Sequence, residues 1–357
     1  MSEIPLNQDT LKSVSMALLP WYAGRRRPFP WREDATPYRI WISEIMLQQT
    51  RIEAALPYFE RFIAALPSVR DLAEAEEQQL LKLWEGLGYY SRVRNLQKAA
   101  RAVMQTFGGE LPNEYEQLMS LPGIGEYTAG AIASIAFGQT VPAVDGNVLR
   151  VTARLLNDEG DVMSTAVRKR LTRAVRAMLP ADNPGDFNQA FMELGETVCL
   201  PNTVPLCGDC PLSFLCAGLR AGNPERLPTR KQKKQRRVEK HTVLIVLADD
   251  RVLLRRREAT GLLAGMWELP SVSGWVSASG AAQAAAEWGA KTLSVAPRRV
   301  TDGRHLFSHV EWHMRGYLVK TAYFEAPSGY LWADARMLHE EIALPSAFRP
   351  FAAFLPV

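Results

Sequence analysis

The chain has 357 residues, is 47% hydrophobic and 22% charged, and carries a formal net charge of +4. That length favours two domains over one, and the composition suits a globular protein with sizeable cores. No apolar run reaches the roughly 18 residues of a membrane span, and no basic-then-apolar leader opens the chain, so the expectation is a reducing cytoplasm and no membrane. The basic excess is clustered, in "GRRRP" at 24–28, "RKQKKQRR" at 230–237 and "LLRRRE" at 253–258, which fits a polyanionic partner and equally a solvated face.

From about residue 9 to 221 the pattern is helical. "YRIWISEIMLQQTRIEAALPYFERFIAAL" places Trp41, Ile45, Leu47, Leu56, Phe59, Phe62 and Ile63 at helical spacings. "EEQQLLKLWEGL", "RVRNLQKAARAVMQTFGG" and "EYTAGAIASIAFG" read the same way, with Gly108, Gly123 and Gly138 at their ends. A basic linker free of apolar pattern follows, over 223–239. Beyond it "HTVLIVLADDRVLLRRRE" predicts strand, Asp-Asp turn and strand. "RHLFSHVEWHMRGYLVK" predicts a further strand or hairpin, and "ALPSAFRPFAAFL" a closing helix. The predicted layout is an all-α domain over 1–222 and a smaller α+β domain over 240–357.

All four cysteines fall within eighteen residues, as Cys199, Cys207, Cys210 and Cys216. A disulfide framework does not suit a chain without an export signal. Four thiolates so close suggest a metal site. Zinc more often uses two short pairs with a long spacer, whereas one pair flanked by single cysteines suits an iron–sulfur cluster; the spacing leaves both open.

"LPGIG" at 121–125 stands between two helical stretches. Gly123 and Gly125 permit positive φ and a tight turn. The following helix then begins with free N–H groups, which form an anion site suited to a DNA phosphate. Glu44, among Trp41, Ile42 and Ile45, is a carboxyl that burial would push toward its neutral form. Asp145 in "AVDGNV" has the place of a helix cap.

"LPGIGEYTAGAIASIAFGQTVPAVDGNVLRV", "PFPWR", "WISEIMLQQT", "GLGYYSRVRNL" and the cysteine run together resemble the helix–hairpin–helix DNA glycosylases of the endonuclease III superfamily. They are most similar to its adenine-excising branch, over nearly the whole chain. The resemblance implies a mainly α glycosylase domain with a [4Fe–4S] cluster on the four cysteines, followed by an α+β Nudix-like domain. It implies a monomer that acts on double-stranded DNA containing adenine opposite 8-oxoguanine or guanine. In that branch Glu44 protonates adenine at N7, and Asp145 faces the cationic sugar with Asn147 orienting it. Tyr127 stands where strand-cleaving relatives have a lysine. A phenol cannot form an imine but can hydrogen-bond Asp145, so base removal without strand cleavage is expected.

The resemblance further assigns Trp31, Arg32 and Gln189 to the adenine pocket. Leu47, Gln49, Thr50 and Tyr89 surround the vacated stack, since the target base must leave the duplex. Phe307, Ser308 and His309 look like a loop that reads 8-oxoguanine. Where a Nudix hydrolase needs a glutamate-rich metal helix, this chain has "AAQAAAEWGA", with one glutamate, so the second domain is expected to bind rather than hydrolyse. Two departures stand out. Seven residues separate Cys199 from Cys207 where the family usually has six, and Leu149 replaces a lysine found in some members. A pyrimidine-directed lyase is the nearest rival, opposed by Tyr127 and the second domain. A silent lesion-binding protein is opposed by Glu44 and Asp145.

Overall fold

The protein is described here from a computed structural model covering residues 8–230, 235–292 and 294–356. Residues 231–234 of the basic linker lie outside the described residues. The chain forms two compact units: Met1–Glu74 with Asn95–Gln232, and Ala75–Arg94 with Lys233–Val357. No helix among the described residues is long and apolar enough to cross a membrane.

The first unit is helical. It opens with α1 (Gln8–Ala23), α2 (Pro30–Glu33), α3 (Pro37–Leu47), α4 (Ile52–Ala65) and α5 (Val69–Glu74). Helix α6 (Glu77–Leu83) falls in the other unit, and α7 (Ser91–Thr106) begins at the junction. Then come α8 (Tyr115–Met119), α9 (Glu126–Phe137), α10 (Gly146–Leu156), α11 (Thr165–Met178), α12 (Pro184–Thr197) and α13 (Ala217–Arg220). Thr36 caps α3 by accepting from Arg39 N, and Pro37 supplies a ready-made first-turn φ. Helix α9 is buried without a break from Thr128 to Ser134, so it lacks a polar face and becomes a central helix. It packs against α3, α8 and α12. A second core, with Leu18, Val148, Leu171, Phe187 and Phe191, joins α1, α10, α11 and α12.

The second unit is built on a seven-stranded mixed sheet of β1 (Arg237–Ala248), β2 (Arg251–Arg256), β3 (Trp267–Glu268), β4 (Ser271–Ser273), β5 (Arg298–Leu306), β6 (Val310–Lys320) and β7 (Tyr330–Ala333). The main path is β3-β2-β1-β6-β5, with β4 on β1 and β7 on β2. Strands β1 and β6 are parallel and every other pair is antiparallel. Alternate residues of β1 serve opposite faces. Val243 and Ile245 pack with Phe348 and Phe351 of a closing 3₁₀ segment (Ser346–Phe354). Leu244 and Val246 face α14 (Ala278–Glu287), whose Ala281, Ala284 and Ala285 allow close approach. A last short helix, α15, spans Ala335–Glu340.

Ala75–Arg94 joins this unit through backbone-directed bonds. Lys82 Nζ donates to Leu338 O at 2.7 Å, Leu344 N donates to Glu85 Oε1 at 2.8 Å, and Arg94 Nη1 donates to Ala264 O at 2.7 Å. These partners are separated by 170 or more residues, so no local pattern announces the grouping.

Candidate active site and nucleic-acid interface

A cleft of about 690 Å³ in the first unit is lined by Trp31, Arg32, Glu44, Leu47, Gln49, Thr50, Gly123, Gly125, Tyr127, Asp145, Asn147 and Gln189. These residues come from α2, α3 and the turn after it, the hairpin before α9, the first turn of α9, the start of α10, and α12. Every first-unit candidate outside the cysteine group is thus brought into one place.

Glu44 is 7% exposed on α3. Burial pushes its pKa up to about 7, with the Asp145 charge adding to the rise; Tyr127 and Arg32 oppose it. Tyr127 donates its hydroxyl to Glu44 Oε2 at 2.5 Å and also lies 3.2 Å from Met192 Sδ. The sequence led to the expectation that this phenol holds Asp145; in the structure its acceptor is Glu44. Asp145 is instead the cap of α10, accepting from Val148 N at 2.8 Å and from Asn147 Nδ2 at 2.9 Å. Burial raises its pKa, while those donors and the Arg150 charge pull against the rise.

Behind Asp145 the contacts continue. Arg150 donates to Asn147 Oδ1 at 2.9 Å, to Gly195 O at 2.7 Å and to Cys199 O at 2.8 Å. One buried guanidinium therefore ties the residue that orients Asp145 to the first cysteine of the run. Neither Arg150 nor Glu193 was flagged by sequence reasoning. Glu193, buried on α12, accepts from both Arg27 and Arg32. Arg32 also donates to Gln189 Oε1 at 3.1 Å, and Tyr22 donates to the same oxygen at 3.2 Å. With its carbonyl so engaged, Gln189 has its NH₂ left to meet a ligand. Trp31 is held between Phe29, stacked at 5.1 Å, and the edge of Phe59 at 5.0 Å.

The hairpin between α8 and α9 turns at Gly123, with φ +79°. A Cβ there would lie 2.7 Å from Asn95 Cβ, so glycine is required by conformation and by space. Gly125 differs from expectation: its φ is −100° and it is the uncapped N-cap of α9, whose first N–H groups have no side-chain acceptor. Gly123→Ala is expected to lower the melting temperature by several degrees, since left-handed φ alone costs a residue with Cβ about 1–2 kcal/mol. It should also weaken binding of undamaged duplex. Thermal unfolding and a titration with duplex check both; an unchanged affinity would remove the hairpin from the interface.

Cys199, Cys207, Cys210 and Cys216 are free and partly buried. Burial pushes the thiols of Cys207 and Cys216 up, and that of Cys210 to about 12, with the other cysteines adding to each rise. A cationic group is what would hold such sulfurs as thiolates. Arg154 Nη1 lies 3.2 Å from Cys199 Sγ. The long spacer turns at Asn202, φ +55°, and Leu206 N donates to Val198 O at 2.9 Å to close it. Among the described residues no group of three or more His, Cys, Asp or Glu side chains is arranged to hold a single metal ion.

In the second unit, Tyr89, Phe307, Ser308 and His309 line a separate cleft of about 480 Å³. Tyr89 has φ +47° and is 46% exposed. The turn before it is held by Arg92, which donates to Leu87 O and Gly88 O, and by Trp84 Nε1, which also donates to Gly88 O. Tyr89 and Ser308 hydroxyls lie 3.4 Å apart. Phe307 sits at the β5–β6 turn with its ring edge-on to Trp312 at 4.9 Å, and Arg236 Nε donates to its carbonyl at 3.0 Å.

A buried acid beside a capped carboxylate, with a helix–hairpin–helix at the cleft, defines a base-excision DNA glycosylase. Residues 42–177 match the HhH-GPD superfamily base excision DNA repair protein family, and residues 241–353 match the NUDIX domain. The chain belongs to the adenine DNA glycosylase family. It is 33% identical to an adenine DNA glycosylase of Homo sapiens over 95% of this chain and 74% of that protein. It is 30% identical to one of Buchnera aphidicola subsp. Schizaphis graminum over 94% of this chain and 96% of that protein. A thermostable thymine-DNA glycosylase structure superposes with a TM-score of 0.54 at 27% identity, covering 60% of this chain and 98% of that one.

Proposed function

We propose that the protein hydrolyses the N-glycosidic bond of adenine mispaired with 8-oxoguanine or guanine in double-stranded DNA, without cutting the strand. The observation that carries this is Glu44, a buried acid with a pKa near 7, sharing a cleft with Asp145. Tyr127 holds Glu44 Oε2, which leaves Oε1 to carry the proton to adenine N7. The bond from C1′ to the base then breaks, and its electron pair leaves with the neutral base. Asp145, fixed by Val148 N and Asn147, stabilises the oxocarbenium-like sugar. Water adds to C1′ and gives its proton to Glu44. Trp31, Arg32 and the Gln189 NH₂ hold the flipped base. Leu47, Gln49 and Thr50 line the vacated stack, the α9 N-terminus takes a phosphate, and Tyr89 is assigned a wedge role by resemblance alone.

Cys199, Cys207, Cys210 and Cys216 would hold a [4Fe–4S] cluster, which supplies cationic iron to bind the thiolates and pin the 199–216 loop. Arg154 and Arg150 fix Cys199 on the protein side. Residues 1–222 carry excision and 240–357 read the opposite base, with Ala75–Arg94 folded onto the reading side. The protein acts as a monomer in the cytoplasm.

Phe307, Ser308 and His309 are assigned to 8-oxoguanine. Phe307→Ala with Ser308→Ala is expected to cut the preference for adenine opposite 8-oxoguanine over adenine opposite guanine by about tenfold, as loss of one good contact of about 1.4 kcal/mol would. Single-turnover rates on the two duplexes, with enzyme in excess over DNA but below saturation, check this. An unchanged ratio would reassign the loop.

A further inference from the structure

Helix α11 has the sequence TAVRKRLTRAVRAM, with five cations and no acid. Val167, Leu171, Val175 and Met178 are its buried face. At 100° per residue, Lys169, Arg173 and Arg176 fall on the opposite side, with Arg168 at its edge. All four are exposed. Arg170 alone among the five is neutralised, by two hydrogen bonds to Asp158. Among the described residues none of the other four has an ion-pair, hydrogen-bond or ring partner.

Such a face opposes helix stability. Lys169 and Arg173 are four apart, Arg173 and Arg176 three apart, and like charges at those spacings repel. Arg168 stands in the first turn, near the positive end of the helix dipole. An ordinary solvated face mixes signs, and α11 does not.

The stripe also has a definite neighbourhood. Arg168 lines the cleft that holds Glu44 and Asp145. Arg176 is near enough to Tyr115, the first residue of hairpin helix α8, for its charge to act on that phenol. From Arg168 to Arg176 the helix rises about 12 Å. Duplex DNA carries one charge per roughly 1.7 Å of axis, so about seven phosphate charges lie along that length. A rigid polyanion matches the row better than a short acidic loop would.

We propose that the exposed face of α11 is a second DNA-backbone contact, in which Lys169, Arg173 and Arg176 hold the duplex outside the catalytic cleft. The contact is electrostatic, so it acts on undamaged and mispaired duplex alike. It is independent of which base the cleft removes.

The test is the salt dependence of binding of an undamaged 30-base-pair duplex by the full-length protein, wild type against a Lys169→Gln, Arg173→Gln, Arg176→Gln variant. Glutamine keeps helix propensity and relieves like-charge repulsion, so the helix survives. Three lost phosphate contacts are expected to reduce the slope of log affinity against log salt by about 2.7. A Lys169→Arg, Arg173→Lys, Arg176→Lys variant should keep the wild-type slope. Independently of any variant, Lys169 in the wild-type protein should be protected from an amine-acetylating reagent when duplex is added. A slope unchanged in the glutamine variant, or Lys169 modified equally with and without DNA, overturns the proposal. So does a variant that loses retention on phosphatidylserine vesicles while its DNA slope stays the same.

Discussion

Glu44→Gln is expected to slow single-turnover adenine excision by about 100- to 10,000-fold, the range for a lost general acid, while mispair binding persists. The amide keeps the shape and still accepts from Tyr127, but it has no proton to give to N7. The same substitution has a second, independent effect on stability. Burial raises Glu44 from 4.5 to about 7, so folding favours its neutral form. Its contribution to stability is complete below about pH 4.5 and is lost as pH rises through about 7. At 1.36 kcal/mol per pKa unit the loss is about 3 kcal/mol. Glutamine is neutral throughout. The variant should therefore match wild type near pH 4 and exceed it by up to about 3 kcal/mol at pH 8. Wild-type excision should fall about tenfold per pH unit above 7, as the protonated fraction falls. Quench-flow excision and denaturant unfolding at two pH values check these. A variant with near wild-type excision would mean the proton comes from elsewhere.

Asp145→Asn is expected to cost about 100- to 1,000-fold in excision, the usual price of one lost electrostatic contact to the transition state. Asparagine caps helices as well as aspartate does, so α10 should keep its start and Val148 N its acceptor. The rate loss then reports the charge together with the bond from Asn147 Nδ2, because asparagine has one oxygen for the two donors. Asp145→Ala should show a comparable rate loss plus about 1 kcal/mol of destabilisation, since the cap goes too. Comparing the two by excision rate and thermal unfolding separates charge from cap. If asparagine retained full activity, Asp145 would be only a cap.

Legibility in the sequence followed the range of the interactions. The helical spacing of α3, the Gly123 turn, the Asp145 cap position and the change to strand period after residue 240 are local, and each has its counterpart in the structure, although α3 is buried nearly all round. The acidic-residue deficit of α14 was equally plain, because it needs only composition. What escaped were pairings across the chain. Arg32 meets Glu193 from 161 residues away, and Arg150 reaches the Cys199 carbonyl from 49. Tyr127 lies 83 residues from Glu44, and nothing in its neighbourhood distinguishes that carboxylate from Asp145 as its acceptor. The joining of Ala75–Arg94 to the C-terminal segment is of the same kind. A helical pattern states which face is buried and is silent on what covers it.

The central claim is that Glu44 and Asp145 remove adenine by hydrolysis and that Tyr127 leaves no amine to cut the strand. The most direct test incubates the full-length protein with a duplex carrying one adenine opposite 8-oxoguanine, end-labelled on the adenine strand. The products are examined with and without hot alkali, and with borohydride present. The expected result is free adenine, a strand that breaks only after alkali, and no borohydride-trapped adduct. Strand breakage before alkali together with a trapped adduct, or an intact strand after alkali with no adenine released, would contradict it.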